Sequence, residues 1–107
     1  MKEIKAYVRG NMVDGVVTAL GALEGVTGVA MVELRAFGHA ASDGRLTMVD
    51  MVKLEVDVAD RWADTAVDCI VRHARTGAGH PGDGRVFLSE LADTVRISDG
   101  ARGEDSL

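Results

Sequence analysis

A glycine-rich stretch, TGAGHPGDGR at residues 76–85, has the residue types and spacing best suited to binding an anion. Gly77, Gly79 and Gly82 fit the G-x-G-x-x-G fingerprint, whose N–H groups and following helix face a pyrophosphate. That fingerprint needs a strand before it and a helix after it, whereas here a helical pattern precedes and the strand-like RVFLSEL follows. The order excludes a Rossmann site. It leaves a glycine loop ending in Arg85, whose N–H groups suit an anion.

The other residues that could carry chemistry can each be explained by a structural role as well as by a functional one. Asp83-Gly84 alone is also a common tight-turn pair. Cys69 lies beside the apolar face of a helical pattern without a base to activate it, which favours packing over nucleophilic catalysis. The histidines fit no zinc motif, so loop or surface positions are favoured over metal ligation for His39, His73 and His80. No carboxylate pair or nucleophile–base set is recognisable, and we do not expect an enzyme.

Hydrophobic periodicity predicts the elements that must position the glycine loop. Asn11 and Asp60 are expected to cap two helices, and Gly25 is expected to end the first of them. The first helical stripe comprises Met12, Val16, Val17, Leu20 and Leu23, and the second comprises Trp62, Ala66, Val67, Ile70 and Ala74. The strand-like segments are 4–8, 28–37, 52–58 and 85–88.

This order predicts a single α+β domain over residues 1–107, with the ferredoxin-like β-α-β-β-α-β plan. Two helices would cover one face of a four-stranded antiparallel sheet and leave the other face open. An apolar open face is usually buried against something, and self-association is the economical answer. The apolar candidates for that face are Tyr7, Val29, Met31, Val49, Met51 and Phe87.

Composition excludes several classes of protein. The net charge is −5 and the pI about 5.0, which argues against a nucleic-acid partner. Charged residues interrupt every apolar run, so we expect no insertion into a membrane. The N-terminal segment MKEIKAYVRG lacks the apolar core of a signal peptide, which predicts a cytoplasmic protein. The single cysteine excludes an intrachain disulfide.

Four segments together resemble the nitrogen-regulatory P-II signalling family and its P-II-like relatives. They are MKEIKAYVR, GVTGVAMVELRAFG, RTGAGHPGDGRVF and VRISDGARGEDSL, and they extend almost from end to end. The third resembles the family signature RT-x-x-TG-x-x-GDGK-[IV]-F, with extra residues inside the loop. The second matches the segment that leads into the family's mobile T-loop, here 38–47.

The resemblance implies a homotrimer with an adenine nucleotide in each of three clefts between subunits. Gly82 and Gly84 would present N–H groups to the phosphates. Arg85 would replace the family's lysine, and its guanidinium can pair with phosphate through two donors. The nucleotide-binding residues implied by similarity are Thr27, Gly28, Gly38, Glu55, Gly82, Asp83, Gly84, Arg85, Arg96, Ser98 and Arg102.

Departures from the family pattern modify these expectations. Ser98 stands where the closing RIR motif has its second arginine, which favours ADP or AMP over ATP. The T-loop is short and has no tyrosine, and Ala40 replaces the glutamine that helps hold magnesium and 2-oxoglutarate. The chain therefore resembles P-II-like subgroups that accompany transporters, either in carboxysome and bicarbonate-uptake systems or with heavy-metal efflux pumps.

A small anion such as bicarbonate is accordingly the expected second ligand. His39 and Arg45, beside Ala40 in the T-loop, and Arg102 from the tail could supply its donors. The alternative is a loop that binds nothing until it meets a partner. The C-terminal segment 98–107 could likewise be a disordered end or could close over the ligand. A trimeric metal-binding or metal-efflux-associated module is the competing function.

Overall fold

The computed structural model describes residues 1–39 and 44–107, except for the side chain of His39. Four strands form one antiparallel sheet in the order β2-β3-β1-β4, with two helices packed on one face. The predicted ferredoxin-like plan is confirmed. Within the described ranges, no helix combines the length and apolar content needed to cross a bilayer. The elements are β1 Lys2–Arg9, α1 Val13–Gly21, β2 Ala30–His39, β3 Leu46–Val58, α2 Asp60–Ala74 and β4 Gly84–Glu90.

The core lies between the helices and one face of the sheet. It follows the predicted alternation, because every second residue of β1 and of the second half of β3 points towards the helices. α2 contributes small residues, which let the helix approach the sheet closely. The fully buried members of largest volume are Ile4, Leu20, Leu54, Ile70, Val8, Val16, Val56 and Val58.

The predicted ends of α1 are wrong. A 3-10 turn, Gly10–Met12, takes up the expected cap, and the N-cap is Met12, without a side-chain hydrogen bond. The helix stops at Gly21 rather than at Gly25. Gly25 instead lies against the indole of Trp62, where a side chain would not fit. Glycine is thus required at position 25 by a tertiary contact. The local sequence pattern could not distinguish this requirement from that of a helix C-terminus.

Asp60 is the first residue of α2 and not its cap, which is Ala59. Its Oδ1 lies 2.8 Å from the N-terminal amine of Met1. Hydrogen bonding to that amine, which exceeds the opposing effect of desolvation, lowers the pKa of the Asp60 carboxyl. The carboxylate is therefore used in a contact between the start of α2 and the start of β1.

The open face of the sheet differs from the prediction in β2. Met31 pairs with buried Leu54 and so belongs to the helix-covered side, and Val29 packs against the core. Val32 pairs with Lys53 and Leu34 with Met51, which places them on the open face. The pairing register of β2 decides this, because a shift of one residue exchanges the two faces. The strand pairing places the other apolar residues predicted for the open face on that face. They are Tyr7, Val49, Met51 and Phe87.

Strands β2 and β3 continue into the segment predicted as the T-loop. Gly38 pairs with Thr47, and the backbone of His39 pairs with Leu46. The described ends of the segment thus extend the antiparallel pairing of β2 with β3, and Ala40 with residues 41–43 lies outside the described residues. The C-terminal segment folds back on itself through the bridge between Val95 and Arg102. It closes with a 3-10 turn, Gly103–Ser106, which reaches α2 through the Arg61–Glu104 ion pair at 2.9 Å.

Candidate functional site

The glycine loop joins α2 to β4 and ends at a position that only glycine can occupy. Gly84 has a φ of 110°, and a Cβ built on it would lie 1.7 Å from the carbonyl oxygen of Tyr7. L-amino acids rarely adopt this φ, and the backbone contact leaves no room for a side chain. The close approach brings the loop against the end of β1 and turns the following residue, Arg85, onto the open face beside Tyr7.

Asp83 holds the loop together from inside. Its Oδ1 accepts hydrogen bonds from Thr76 Oγ1 at 2.5 Å and from Arg9 Nε at 3.3 Å. Its Oδ2 accepts the N–H groups of Thr76 at 3.1 Å and His80 at 2.8 Å. These bonds, led by that from the Thr76 hydroxyl, hold the pKa of the Asp83 carboxyl far below its usual value. Asp83 therefore fixes the loop's shape, and its carboxylate offers nothing to an anion.

Arg9 and His80 hold the glycine loop in shape, a role that the sequence did not indicate for either residue. His80 Nδ1 accepts the N–H of Gly82 at 3.0 Å and lies 3.0 Å from Arg9 Nη2, as suits the tautomer protonated at Nε2. Arg9 thus spans His80 and Asp83 and ties the end of β1 to the loop. The N–H of Gly82, one of the two N–H groups expected to face phosphate, is therefore already bonded to the His80 imidazole. The Arg9 contacts could not be anticipated without knowing that β1 and β4 are paired.

Arg85 lies at the edge of a cleft of about 710 Å³ on the open face. Its guanidinium carbon is 5.9 Å from the centroid of the Phe87 ring, a distance at which a cation–π attraction operates. Phe87 in turn meets Tyr7 edge to face at 5.8 Å between ring centroids. Lys5 also lines this cleft. The cleft combines two cationic groups with aromatic surface, which suits a ligand with an anionic part and a flat ring.

Thr27, Gly28 and Glu55 line a different cleft, of about 470 Å³, together with part of the C-terminal segment. Glu55 is paired with Lys53 at 3.0 Å. Asp57 also reaches this cleft, and its buried Oδ1 has no hydrogen-bond partner among the described residues. Burial first, and then the neighbouring Glu3 carboxylate, raise the pKa of Asp57 above its usual value. This cleft is the more acidic of the two.

Two of the C-terminal residues predicted to bind the nucleotide, Arg96 and Arg102, have hydrogen-bond partners within residues 93–105. Arg96 donates from Nε and Nη2 to the two oxygens of Asp99, each at 3.0 Å, and from Nη2 to the carbonyl oxygen of Asp105. Arg102 donates to Asp93 at 2.8 Å. Ser98 is exposed in the turn that follows Arg96. In this conformation the two arginines neutralise carboxylates of the chain itself.

The structure therefore separates the glycine loop from Thr27 and Gly28 among the predicted nucleotide-binding residues, and Glu55 lies in the inner strand β3. The loop Gly82–Arg85 leads into edge strand β4, whereas Thr27 and Gly28 precede edge strand β2. Three strand spacings separate these edges, roughly 14 Å. Gly38 lies farther out along the paired strands β2 and β3. Of the expected second-ligand residues, Arg45 directly precedes β3, the backbone of His39 is in β2, and Ala40 is outside the described part of the chain.

Comparisons with known proteins agree with this architecture. A family profile described as "Nitrogen regulatory protein P-II" matches residues 1–101. The chain is 35% identical to "Nitrogen regulatory protein P-II" of Klebsiella oxytoca and to "Nitrogen regulatory protein P-II 1" of Escherichia coli, over the full length of both chains in each comparison. The solved structure of Arabidopsis thaliana PII bound to citrate superimposes with a TM-score of 0.84 at 29% identity, covering 99% of this chain and 91% of the other.

Proposed function

Because the chain belongs to the nitrogen regulatory P-II family, we propose that it is a non-enzymatic signalling protein of the cytoplasm that binds an adenine nucleotide. The nucleotide occupies clefts between the subunits of a homotrimer, with ADP or AMP bound at least as tightly as ATP. The bound nucleotide controls a partner protein, for which a membrane transporter is the candidate, through the T-loop.

The separation of the two residue groups is the observation that carries this proposal. The loop Gly82–Arg85 and the pair Thr27–Gly28 lie at opposite edges of one sheet. A nucleotide that uses both groups is accommodated more simply where the β4 edge of one subunit meets the β2 edge of the next. The apolar open face, which includes Val32 at 47% and Phe87 at 45% exposure, favours the same association.

The proposed preference of the site for ADP or AMP over ATP follows from the number of cationic side chains available to the phosphates. Arg85 contacts an aromatic ring and has no ion pair among the described side chains, so it is available to a phosphate. Ser98 supplies no charge, and Arg96 and Arg102 already neutralise carboxylates. Each additional phosphate brings negative charge into a chain whose net charge is −5, and Ser98 adds no positive charge to compensate it.

Calorimetric titration with ADP, AMP and ATP tests the proposal. ADP or AMP should bind, with ATP no tighter. Arg85→Ala should weaken ADP binding by about 1.5–3 kcal/mol, the usual range for a charged hydrogen bond. Arg72→Ala, which removes the same charge from the exposed surface of α2, should leave ADP affinity unchanged. Equal ADP affinity of the parent and Arg85→Ala would overturn the assigned role of Arg85.

The proposed second ligand is bicarbonate, with donors from Arg45, His39 and Arg102, and Arg102 must leave Asp93 to reach it. ADP should be titrated with and without bicarbonate, and separately with and without 2-oxoglutarate. Tighter ADP binding only with bicarbonate is the expected result. Tightening only with 2-oxoglutarate contradicts the proposal, and no response to either favours a loop that acts only through a partner. The metal-binding alternative gains no support, because the described residues contain no group of three or more potential metal ligands.

A further inference from the structure

The contacts of Arg96 leave little of its guanidinium for a ligand. Nε and one N–H of Nη2 form a two-pronged pair with the Asp99 carboxylate, and Nη2 also donates to the Asp105 carbonyl oxygen. A guanidinium has five N–H groups, and three of them are engaged here. Only Nη1 has no hydrogen bond among the described residues. A phosphate that requires two parallel donors from Arg96 must first displace an internal acceptor.

Asp99 is held in place independently of the Arg96 side chain. Its Oδ1 also accepts the N–H of Ala101 at 3.0 Å. The same turn is closed by Arg96 N–H to Ala101 O at 2.9 Å and by Gly100 N–H to Arg96 O at 2.8 Å. Gly100 has a φ of 72°, which suits a tight turn. The carboxylate is thus positioned before it meets the guanidinium, and less side-chain entropy is lost on pairing. Hydrogen bonding, first from Arg96, lowers the pKa of Asp99, so it is ionised near neutral pH.

We propose that Asp99 is an internal competitor of the ligand's phosphate for Arg96, and that it sets both the affinity and the phosphate-number preference of the nucleotide site. This inference rests on the proposed function. The Arg96 and Asp99 side chains are 42% and 53% exposed, so their pair is weak enough for a phosphate to displace. Displacement leaves an ionised Asp99 beside the bound anion, which adds repulsion that grows with the number of phosphates.

The experiment measures ADP and adenosine affinity for Asp99→Asn, with Asp105→Asn as the matched control. Both variants remove one negative charge from the same segment. Asp105 touches Arg96 only through its backbone carbonyl oxygen, so the control leaves the Arg96–Asp99 pair intact. Asp99→Asn keeps an oxygen that can accept the Ala101 N–H. We expect Asp99→Asn to tighten ADP binding roughly two- to fivefold, the range that corresponds to an exposed ion pair. Adenosine, which has no phosphate, should bind both variants like the parent.

A double-mutant cycle with Arg96→Gln tests whether the effect passes through Arg96. In the Arg96→Gln background, Asp99→Asn should tighten ADP binding less than it does in the parent background, because only the repulsion between Asp99 and the phosphates is then relieved. Equal tightening by Asp99→Asn and Asp105→Asn in the parent background, or an Asp99→Asn effect that is as large without Arg96 as with it, would overturn the competition.

A failure of the proposed function can be distinguished from a failure of the competition between Asp99 and phosphate. If neither the parent nor any variant binds ADP, nucleotide binding itself is wrong, and the competition falls with it. The internal pair is then still tested by NMR of the ligand-free protein. The Arg96 Nε–H should exchange slowly with water in the parent and in Asp105→Asn, and rapidly in Asp99→Asn.

Discussion

Gly84 approaches Tyr7 so closely that a Cβ on Gly84 would lie 1.7 Å from the Tyr7 carbonyl oxygen. This contact brings the glycine loop against β1 and sets the direction in which Arg85 leaves the loop. Gly84→Ala should therefore destabilise the protein by at least about 2 kcal/mol, because a side chain combines an unfavourable φ with a backbone clash. Urea unfolding followed by circular dichroism measures the effect.

Gly15→Ala is the matched control. Gly15 lies inside α1, and a Cβ there would meet no atom within 4 Å. Alanine is the better helix former, so this variant should be stabilised by up to about 1 kcal/mol. Unfolding of Gly84→Ala at the same urea concentration as the parent would contradict the structural role assigned to Gly84.

The Asp83 carboxylate should make the stability of the fold dependent on pH in the acid range. Hydrogen bonds, first from Thr76, depress its folded-state pKa below the unfolded value of about 3.9. Its stabilising contribution is therefore complete above the unfolded pKa and is lost as pH falls through the folded pKa. Asp83→Asn should melt at a lower temperature than the parent at pH 7, and the difference should narrow as pH falls below about 4.

Thermal unfolding between pH 7 and pH 2 checks this prediction, with Asp64→Asn on the exposed surface of α2 as the control. The control should follow the parent at every pH. A constant difference between Asp83→Asn and the parent across the acid range would show that the charge of Asp83 is not what holds the loop.

Gly25 should resist substitution because of Trp62. A Cβ at Gly25 would lie 2.2 Å from the indole ring, which cannot yield as a flexible side chain could. Gly25→Ala should cost about 1–3 kcal/mol of stability, the usual range for overpacking. Trp62 is the single tryptophan, so its fluorescence should shift in Gly25→Ala and remain unchanged in Gly21→Ala, where a Cβ meets nothing within 4 Å. Unchanged emission from Gly25→Ala would argue against the contact.

The open face of the sheet should mediate assembly. Light scattering at micromolar concentration should give three times the 11.3-kDa chain mass for the parent. Val32→Glu places a charge on the open face and should reduce the measured mass, because an unpaired buried charge is costly. Val17→Glu makes the same change on the outer surface of α1, where Val17 is 36% exposed, and should leave the mass unchanged. A monomeric parent would rule out clefts shared between subunits.

The sequence predicted the architecture well, but it did not predict the faces of every strand. The alternation of Ile4, Ala6 and Val8 with polar residues defines the buried side of β1 unambiguously. β2 carries apolar residues on both sides, so Met31 and Val32 are equivalent as sequence and opposite in the sheet. Only the pairing register with β3 separates them, and register is a property of two strands together.

The candidate site shows the same division. The sequence by itself determined the glycine loop, the basic residue at its end and the helix and strand on either side, because these depend on local conformational preferences. The tertiary structure decided that Arg9 meets His80, 71 positions away along the chain, and that Asp83 faces inward. It also decided that Arg96 is paired with Asp99. Such contacts are not encoded in the local pattern, because they arise only when strand pairing and turn geometry bring the groups within hydrogen-bonding distance.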